Sequence, residues 1–463
     1  MLDILNLRLG FANNSSSSHS IVFLENNSGV QSNESNGSFG WGFFTAASPE
    51  AKSDYLIASV FDKLSHTVGD SMTSIIMSHL LNRSEESLQD TEWYVDHQSQ
   101  LVFPRDFHKN IIDMQYFNDL RDFLMQDGIA VLGGNDNSDE CHPLLQRAHK
   151  FSLPTDEYGV WVARKDGDVW VFFNQNTGNK IRFSFKKDVE YNKSSLPELV
   201  DIKITDFCPY NCPFCYQNST AVGKHASMYT ISNCAQMLSE RKVFEVAIGG
   251  GEPTLHPEFV NILKIFRSKN VIPNFTTRNL QWLRSEHKND ILNFSGSFAV
   301  STEKTEDIIK LSNALSYHEV PKSKASLQFV VGATDEWTFR QLIETAIEHK
   351  LSYTLLGYKS TGRGDEFQPK ITAEQCWDII QKLKSKHSYM RVGIDTVLAE
   401  QLQSKLSQSV DRMFYHTRDG VFSCYIDAVQ CKMAPSSYCN PSQYVELKLG
   451  LHNNFDGTYR SFA

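Results

Sequence analysis

Cys208, Cys212 and Cys215 stand in the run Cys208-Pro-Tyr-Asn-Cys212-Pro-Phe-Cys215, directly after the apolar, strand-like stretch Leu199 to Ile204. Three thiols bunched in eight residues favour a metal. Spacings of three and then two residues give three ligands to a four-iron cube and leave its fourth iron open to a substrate-like ligand. A structural zinc or a ferredoxin loop completes its set with a nearby fourth Cys or His. Here His225, the nearest imidazole downstream, lies ten residues past Cys215. Half of a zinc site, or ordinary buried thiols, are the alternatives.

A second segment with chemical content is Gly249-Gly250-Gly251-Glu252-Pro253. Three glycines let the backbone approach a ligand and adopt positive φ, and Glu252 offers a carboxylate to an ammonium group. Pro253 fixes the exit toward a helix. Alone, such a turn reads equally well as a strand-to-helix loop.

The elements that must position these residues follow from periodicity. Strand-like runs are Leu199 to Ile204, Val243 to Ile248, Ile272 to Thr276, Ser297 to Val300, Ser326 to Val331 and Ser352 to Leu356. Helical patterns follow each at Ser232 to Arg241, Pro257 to Lys269, Leu280 to Leu292, Thr305 to Tyr317, Trp337 to His349 and Thr372 to Lys384. Six strand-then-helix repeats imply parallel strands joined by right-handed crossovers, hence an α/β fold with a barrel or part of one. Ligand sites in such folds gather at the carboxyl ends of the strands. The cysteines follow the first strand, the glycine turn the second, Thr276 to Asn279 the third and Ser301 to Glu303 the fourth, so one rim collects them. After the sixth strand, Arg363 in Leu356-Gly-Tyr-Lys-Ser-Thr-Gly-Arg-Gly364 is a candidate to meet a carboxylate or phosphate, or else a solvated turn residue.

With these motifs the stretch Leu196 to Ile394 resembles the radical S-adenosylmethionine superfamily. The resemblance rests on the three-cysteine loop, with aromatic Phe214 before its last cysteine, and on the glycine turn after the second strand. It implies a partial (βα)6 TIM-like barrel carrying a [4Fe-4S] cluster and S-adenosyl-L-methionine. Cys208, Cys212 and Cys215 would be the cluster ligands, with the cofactor's amino and carboxylate groups on the fourth iron. Phe214 would lie near the adenine. Gly249, Gly250, Gly251, Glu252 and Pro253 would hold the methionine ammonium, and Thr276, Arg278 and Ser301 are candidates for the ribose and carboxylate. The implied chemistry is reductive cleavage to a 5'-deoxyadenosyl radical, which takes hydrogen from a substrate C–H bond inside a closed, dry barrel. That step needs no acid–base pair, so no catalytic side chain is nominated.

The remaining segments suggest three domains: an α+β domain over 1–195, the barrel core over 196–400 and a small C-terminal cap over 401–463. The cap resembles a segment that brings an auxiliary iron-sulfur cluster in some relatives, but Pro435-Ser436-Ser437 stands where a Pro-Cys-Ser step is usual. Cys424, Cys431 and Cys439 are the remaining thiols for a second cluster, against a hairpin with ordinary cysteines. Cys141, Cys234 and Cys376 are isolated. In the N-terminal domain Gly159 to Ser184 reads as an antiparallel meander with turns at Lys165-Asp-Gly and Asn176-Thr-Gly-Asn. His19 beside the Ser15 to Ser18 run, Asp96, His97 and Asp136 could form a second polar site for a phosphate or metal, or lie in ordinary loops.

A chain of 463 residues suits two or three domains. Its 45 Lys plus Arg against 54 Asp plus Glu, a formal charge of -9, argue against a general grip on nucleic acid. The opening Met1-Leu-Asp-Ile-Leu-Asn-Leu-Arg-Leu lacks the basic start and apolar run of a secretion signal, and no window reaches transmembrane length. Nine cysteines, three of them clustered, point to a reducing, cytoplasmic setting. The expected partners are a peptide or small-molecule substrate and an electron donor such as flavodoxin or ferredoxin. Relatives with extensions at both ends suggest a peptide or protein substrate. The alternatives are radical modification of a nucleoside or other small metabolite, and a non-catalytic iron-sulfur redox protein.

Overall fold

The structure is a computed structural model. It describes residues 161–387, 390–410 and 415–462 and, before them, 3–8, 20–23, 32, 37–40, 42–89, 91–95, 103, 111–133 and 150–151. His19, Asp96, His97, Asp136, the Ser15 to Ser18 run and Cys141 fall outside the described residues. The chain divides into two compact units, Met1–Glu190 and Tyr191–Ala463.

The first unit is α+β. The meander expected from the sequence is present as Trp161–Asp166, Val169–Asn174 and Lys180–Ser184, all antiparallel, with Asp3–Arg8 added on the Lys180–Ser184 side. A second sheet orders Phe44–Ala46, Ile129–Gly133, Ser20–Phe23 and Lys150–Phe151. The helix Pro49–Val68 starts where Ser48 accepts a bond from the Ala51 N–H and Pro49 presets the first turn. A buried aromatic group built on Tyr55, Tyr116, Trp170, Phe172 and Phe183 fills this unit's core.

The second unit is built on one ten-stranded sheet. Its six central strands are those expected: Leu199–Thr205, Glu245–Gly250, Ile272–Thr277, Phe298–Ser301, Ala325–Val330 and Ser352–Leu356, each parallel to the next. Val392–Ile394 adds a further parallel strand beside the sixth. Ser423–Asp427 pairs in parallel with the first strand on its other side, and Lys432–Ala434 and Val445–Glu446 follow antiparallel. The C-terminal segment thus extends the central sheet directly. The two end strands do not pair with one another, so the sheet is open, an α/β arrangement of partial-barrel type.

Alternation explains the layering. Val200, Ile202 and Ile204 of the first strand join Val246, Ile248, Phe275, Phe298, Leu327, Phe329 and Leu355 in one apolar core with the crossover helices. Those helices carry their own start signals: Ser227 caps Met228–Glu240, Asp335 caps Glu336–Glu348, and Thr372 with Gln375 forms a capping box before Ala373–Lys384. The expected helix over Leu280 to Leu292 is instead a 3-10 turn, Gln281–Arg284, followed by Lys288–Phe294. The Ser285 hydroxyl and N–H both bond the Trp282 carbonyl, which takes that acceptor from a continuing helix. Among the described residues no helix is long and apolar enough to cross a membrane.

Candidate functional site

The three cysteines emerge from the carboxyl end of the first strand on a loop with little regular structure, each half-buried and none in a disulfide. Backbone bonds fold this loop on itself: Cys208 N–H to Thr220 O at 2.8 Å, Cys215 N–H to Cys212 O at 3.2 Å and Asn218 N–H to Cys215 O at 3.2 Å. Burial pushes the Cys208 thiol up, and the neighbouring charges of Cys212, Glu252 and Cys215 push it further. Burial also raises Cys212, against the pull of the Arg278 guanidinium. Thiols so close together suit a cation that compensates the negative charge they carry as ligands. The donor set therefore fits an iron-sulfur cluster in its chemistry. As the side chains stand, no group of three or more His, Cys, Asp or Glu among the described residues is gathered on one point for a metal ion.

The glycine turn presses directly on this loop. Gly251 N–H donates to Thr205 O at 2.7 Å and Glu252 N–H to Phe207 O at 2.8 Å. Gly250 has φ +114°, and a Cβ on Gly250 or Gly251 would run into the carbonyls of Thr205 and Phe207 respectively. Gly249, by contrast, faces open space. Two of the three glycines thus serve backbone-to-backbone packing, and the third faces a region a ligand can enter.

Glu252 is buried and its carboxylate is heavily bonded. Oε1 accepts from Thr254 N–H at 3.2 Å, Thr254 Oγ1 at 2.6 Å and Thr277 Oγ1 at 2.6 Å, while Oε2 accepts from Arg278 N–H at 2.9 Å. It caps the 3-10 turn Pro253–Leu255, whose first residue is the buried Pro253. The carboxylate fastens the second-strand turn to the end of the third strand. Arg278 continues the chain of contacts, with Nη1 donating to Cys212 Sγ at 2.9 Å and Nη2 paired with Glu303. Its side chain thus links the cysteine loop to Glu303 at the end of the fourth strand.

The other expected residues are spread along the same rim. Phe214 packs edge-on against Phe367, ring centroids 5.7 Å apart. Ser301 Oγ donates to Gln328 Oε1 at 3.2 Å. Thr276 is half-buried at the end of the third strand. His225 turns elsewhere: its Nδ1 meets Thr205 Oγ1 at 2.8 Å and its ring lies against His256 at 4.9 Å. The C-terminal thiols have separate surroundings. Cys424 is buried near Asp201, Cys431 lies 3.9 Å from Thr230 Oγ1, and Cys439 is near Ser436 and Tyr444.

Sequence reasoning named Arg363 but not its contact with the cysteine loop, and missed Lys203 and Lys359 altogether. Arg363 bonds the cysteine loop, Lys203 pairs with Asp206 and with Asp427 at 3.1 Å, and Lys359 pairs with Asp395 at 3.3 Å beneath the rings of Tyr216 and Tyr438. The signal for Lys359 and Arg363 lay in the glycine-punctuated loop itself, which places basic residues at a strand's carboxyl end.

A family model described as the radical SAM superfamily matches residues 202–290, the stretch that holds the cysteine loop and the glycine turn. The chain carries a radical SAM domain, and with it an enzymatic activity of radical SAM type. No curated protein matches the chain. Among solved structures, Streptococcus suis SuiB bound to precursor peptide SuiA aligns at 13% identity with a TM-score of 0.51, over 65% of this chain and 87% of that one. SuiB bound to S-adenosylmethionine aligns at 12% identity with a TM-score of 0.48, over 60% of this chain and 82% of that one. Native anSMEcpe with bound AdoMet and Cp18Cys peptide gives 15% identity and a TM-score of 0.39, over 57% and 79%. At these identities the likeness is one of fold, and only the first superposition is close enough to carry an argument.

Proposed function

We propose that this chain is a radical S-adenosylmethionine enzyme whose cluster is held by Cys208, Cys212 and Cys215 and whose substrate is a peptide or protein. The observation that carries this reading is the cysteine loop itself: three free thiols after the first strand, inside the matched domain, braced by the glycine turn and by Arg278. Cys208, Cys212 and Cys215 would hold the cluster through their sulfurs. The bound cofactor supplies a 5'-deoxyadenosyl radical that takes hydrogen from a substrate C–H bond.

The chain's own residues bind and shield. Gly249 faces open space that would take the cofactor's methionine end, and Glu252 would offer its carboxylate to the ammonium. Thr276 and Ser301 line the rim for the ribose, and Phe214 with Phe367 gives an apolar wall for the adenine. A peptide substrate is supported by the SuiB fold, solved with a precursor peptide bound. An electron donor such as a flavodoxin or ferredoxin and a reducing, cytoplasmic setting complete the proposal.

Anaerobic reconstitution with iron and sulfide, then dithionite and S-adenosylmethionine, tests it. The expected product is 5'-deoxyadenosine, lost together with the iron-thiolate charge-transfer absorbance when any one of the three cysteines is changed to Ala. Full iron and sulfide retention in all three variants, or no 5'-deoxyadenosine from the wild type, overturns the assignment.

A further inference from the structure

Arg363 does something neither a substrate-binding nor a solvated turn residue does. Its Nε donates to Cys212 O, and its Nη1 to Asn218 Oδ1 and to Ser219 O, all at 3.0 Å. Its backbone N–H donates to Cys215 O, also at 3.0 Å. One residue from the loop after the sixth strand therefore ties down four residues of the cysteine loop, including the carbonyls of two of the three cysteines.

The approach is close because the neighbouring residue lacks a side chain. Gly362 has φ +58°, and a Cβ there would meet Tyr216 O at 2.5 Å and Cys215 O at 2.8 Å. Thr361 Oγ1 adds a bond to Tyr216 O at 3.4 Å. The turn is braced from within, since the single proton of the Tyr358 hydroxyl is shared between Gly364 O at 2.5 Å and Phe367 O at 3.1 Å. A planar guanidinium on such a turn can satisfy several diverging acceptors at once, which a lysine ammonium on a flexible stem does less well.

The loop it holds is otherwise fastened by its own turns, by the glycine turn and by two isolated bridges, Thr205 with His225 and Phe207 with Thr220. It carries no helix or strand ladder of its own, so without Arg363 the carbonyls of Cys212 and Cys215 lose their strongest donors. Arg278 acts differently, because it reaches a sulfur rather than the backbone.

We propose that Arg363 is the positioning residue of the cysteine loop: it fixes the backbone at Cys212 and Cys215 before any metal is bound, and its fixed charge eases one-electron reduction of the cluster they hold. The second half rests on the cluster reading given above; the first half does not. Charge and second-shell hydrogen bonds are established levers on iron-sulfur potentials.

Three readouts on the full-length chain test this, with Arg363→Met and Arg363→Lys. In the cluster-free protein, the amides of Cys208, Cys215 and Asn218 should exchange hydrogen about tenfold faster in R363M, while the helix Glu336–Glu348 keeps its wild-type rate. After anaerobic loading, R363M should take up less than half the wild-type iron, and what assembles should reduce at a more negative potential in an EPR-monitored titration. R363K, which keeps the charge but not the fork, should recover the potential more fully than the iron uptake. Unchanged loop exchange in R363M overturns the positioning role. Wild-type potential in R363M overturns the electrostatic role. Faster loop exchange in R363M together with a wild type that takes up no iron supports the clamp and overturns the cluster reading instead.

Discussion

Replacing Glu252 separates the structural role of its carboxylate from any role in cofactor binding. The side chain is only 2% exposed and accepts from four donors, two backbone N–H groups and two threonine hydroxyls. In Glu252→Ala the hydroxyls have partial outlets, since Thr277 Oγ1 also lies 3.3 Å from Asn279 O. The N–H groups of Thr254 and Arg278 have none. Two stranded donors at roughly 1–3 kcal/mol each give a destabilisation of about 2–6 kcal/mol, with some further loss from the hydroxyls. Glu252→Gln keeps the shape but has one carbonyl oxygen. Placed toward Thr254 and Thr277, that oxygen leaves the amide NH2 facing the Arg278 N–H, a donor against a donor, for about 1–3 kcal/mol. Urea unfolding of the cluster-free protein measures both, and the order Ala, then Gln, then wild type is the expected one. Because Arg278 is anchored through this carboxylate and touches Cys212, the Ala variant should also load less iron. An E252A protein within about 0.5 kcal/mol of wild type refutes the reasoning, since surface substitutions have effects of that size.

Two further outcomes follow from the same geometry. Gly251→Ala drives a Cβ into the Phe207 carbonyl and should cost more than about 2 kcal/mol in thermal or urea unfolding, whereas Gly249→Ala faces open space and should keep wild-type stability while weakening S-adenosylmethionine binding in equilibrium titration. Asp201 is pushed up to about 6 from 3.8, chiefly by burial and also by the charges of Asp419, Glu245 and Asp395, against the pull of Lys359. Its ionisation is therefore disfavoured in the folded state, so its contribution is fully present below about pH 4 and is lost as pH rises through about 6. Asp201→Asn should be more stable than wild type at pH 8 by about 2–3 kcal/mol and lose that advantage near pH 4, which urea midpoints at the two pH values measure.

The strand-and-helix rhythm of 199–384 was legible because buried parallel strands read as short apolar runs and helices such as those after Asp335 and Thr372 carry explicit caps. The cap at Ser227 was passed over, and that helix starts at Met228, ahead of the expected Ser232. The cysteine spacing was legible because ligation demands local geometry. The shell around it was not. Arg363 lies some 150 positions from the residues it bonds, and sequence distance carries no trace of such a contact. The two outer parallel strands were hidden for related reasons: Val392–Ile394 is three residues long, and Ser423–Asp427 pairs with a strand more than 200 positions earlier. Glycine chemistry misled in part, because Gly250 and Gly251 serve the packing of two protein backbones while only Gly249 faces free space. A sequence run cannot say which of its glycines meets protein and which meets ligand.

The face of the sheet opposite the apolar core shows what such an arrangement is for. A closed eight-stranded barrel fills its interior with branched apolar side chains. Here the inner positions pair polar groups across neighbouring strands instead: Lys203 with Asp427, Glu245 Oε2 with Asn274 Nδ2 at 3.0 Å, and Ser301 with Gln328. Each such group must keep a partner, so the pairs that line this face resist replacement by packing residues of similar volume. The open sheet therefore combines an apolar outer layer that fixes the fold with an inner face of polar groups bonded from strand to strand. A polar inner face of this kind suits the polar cofactor and the substrate proposed for it, and Glu252, Arg278 and Arg363 brace the loops at the strand ends.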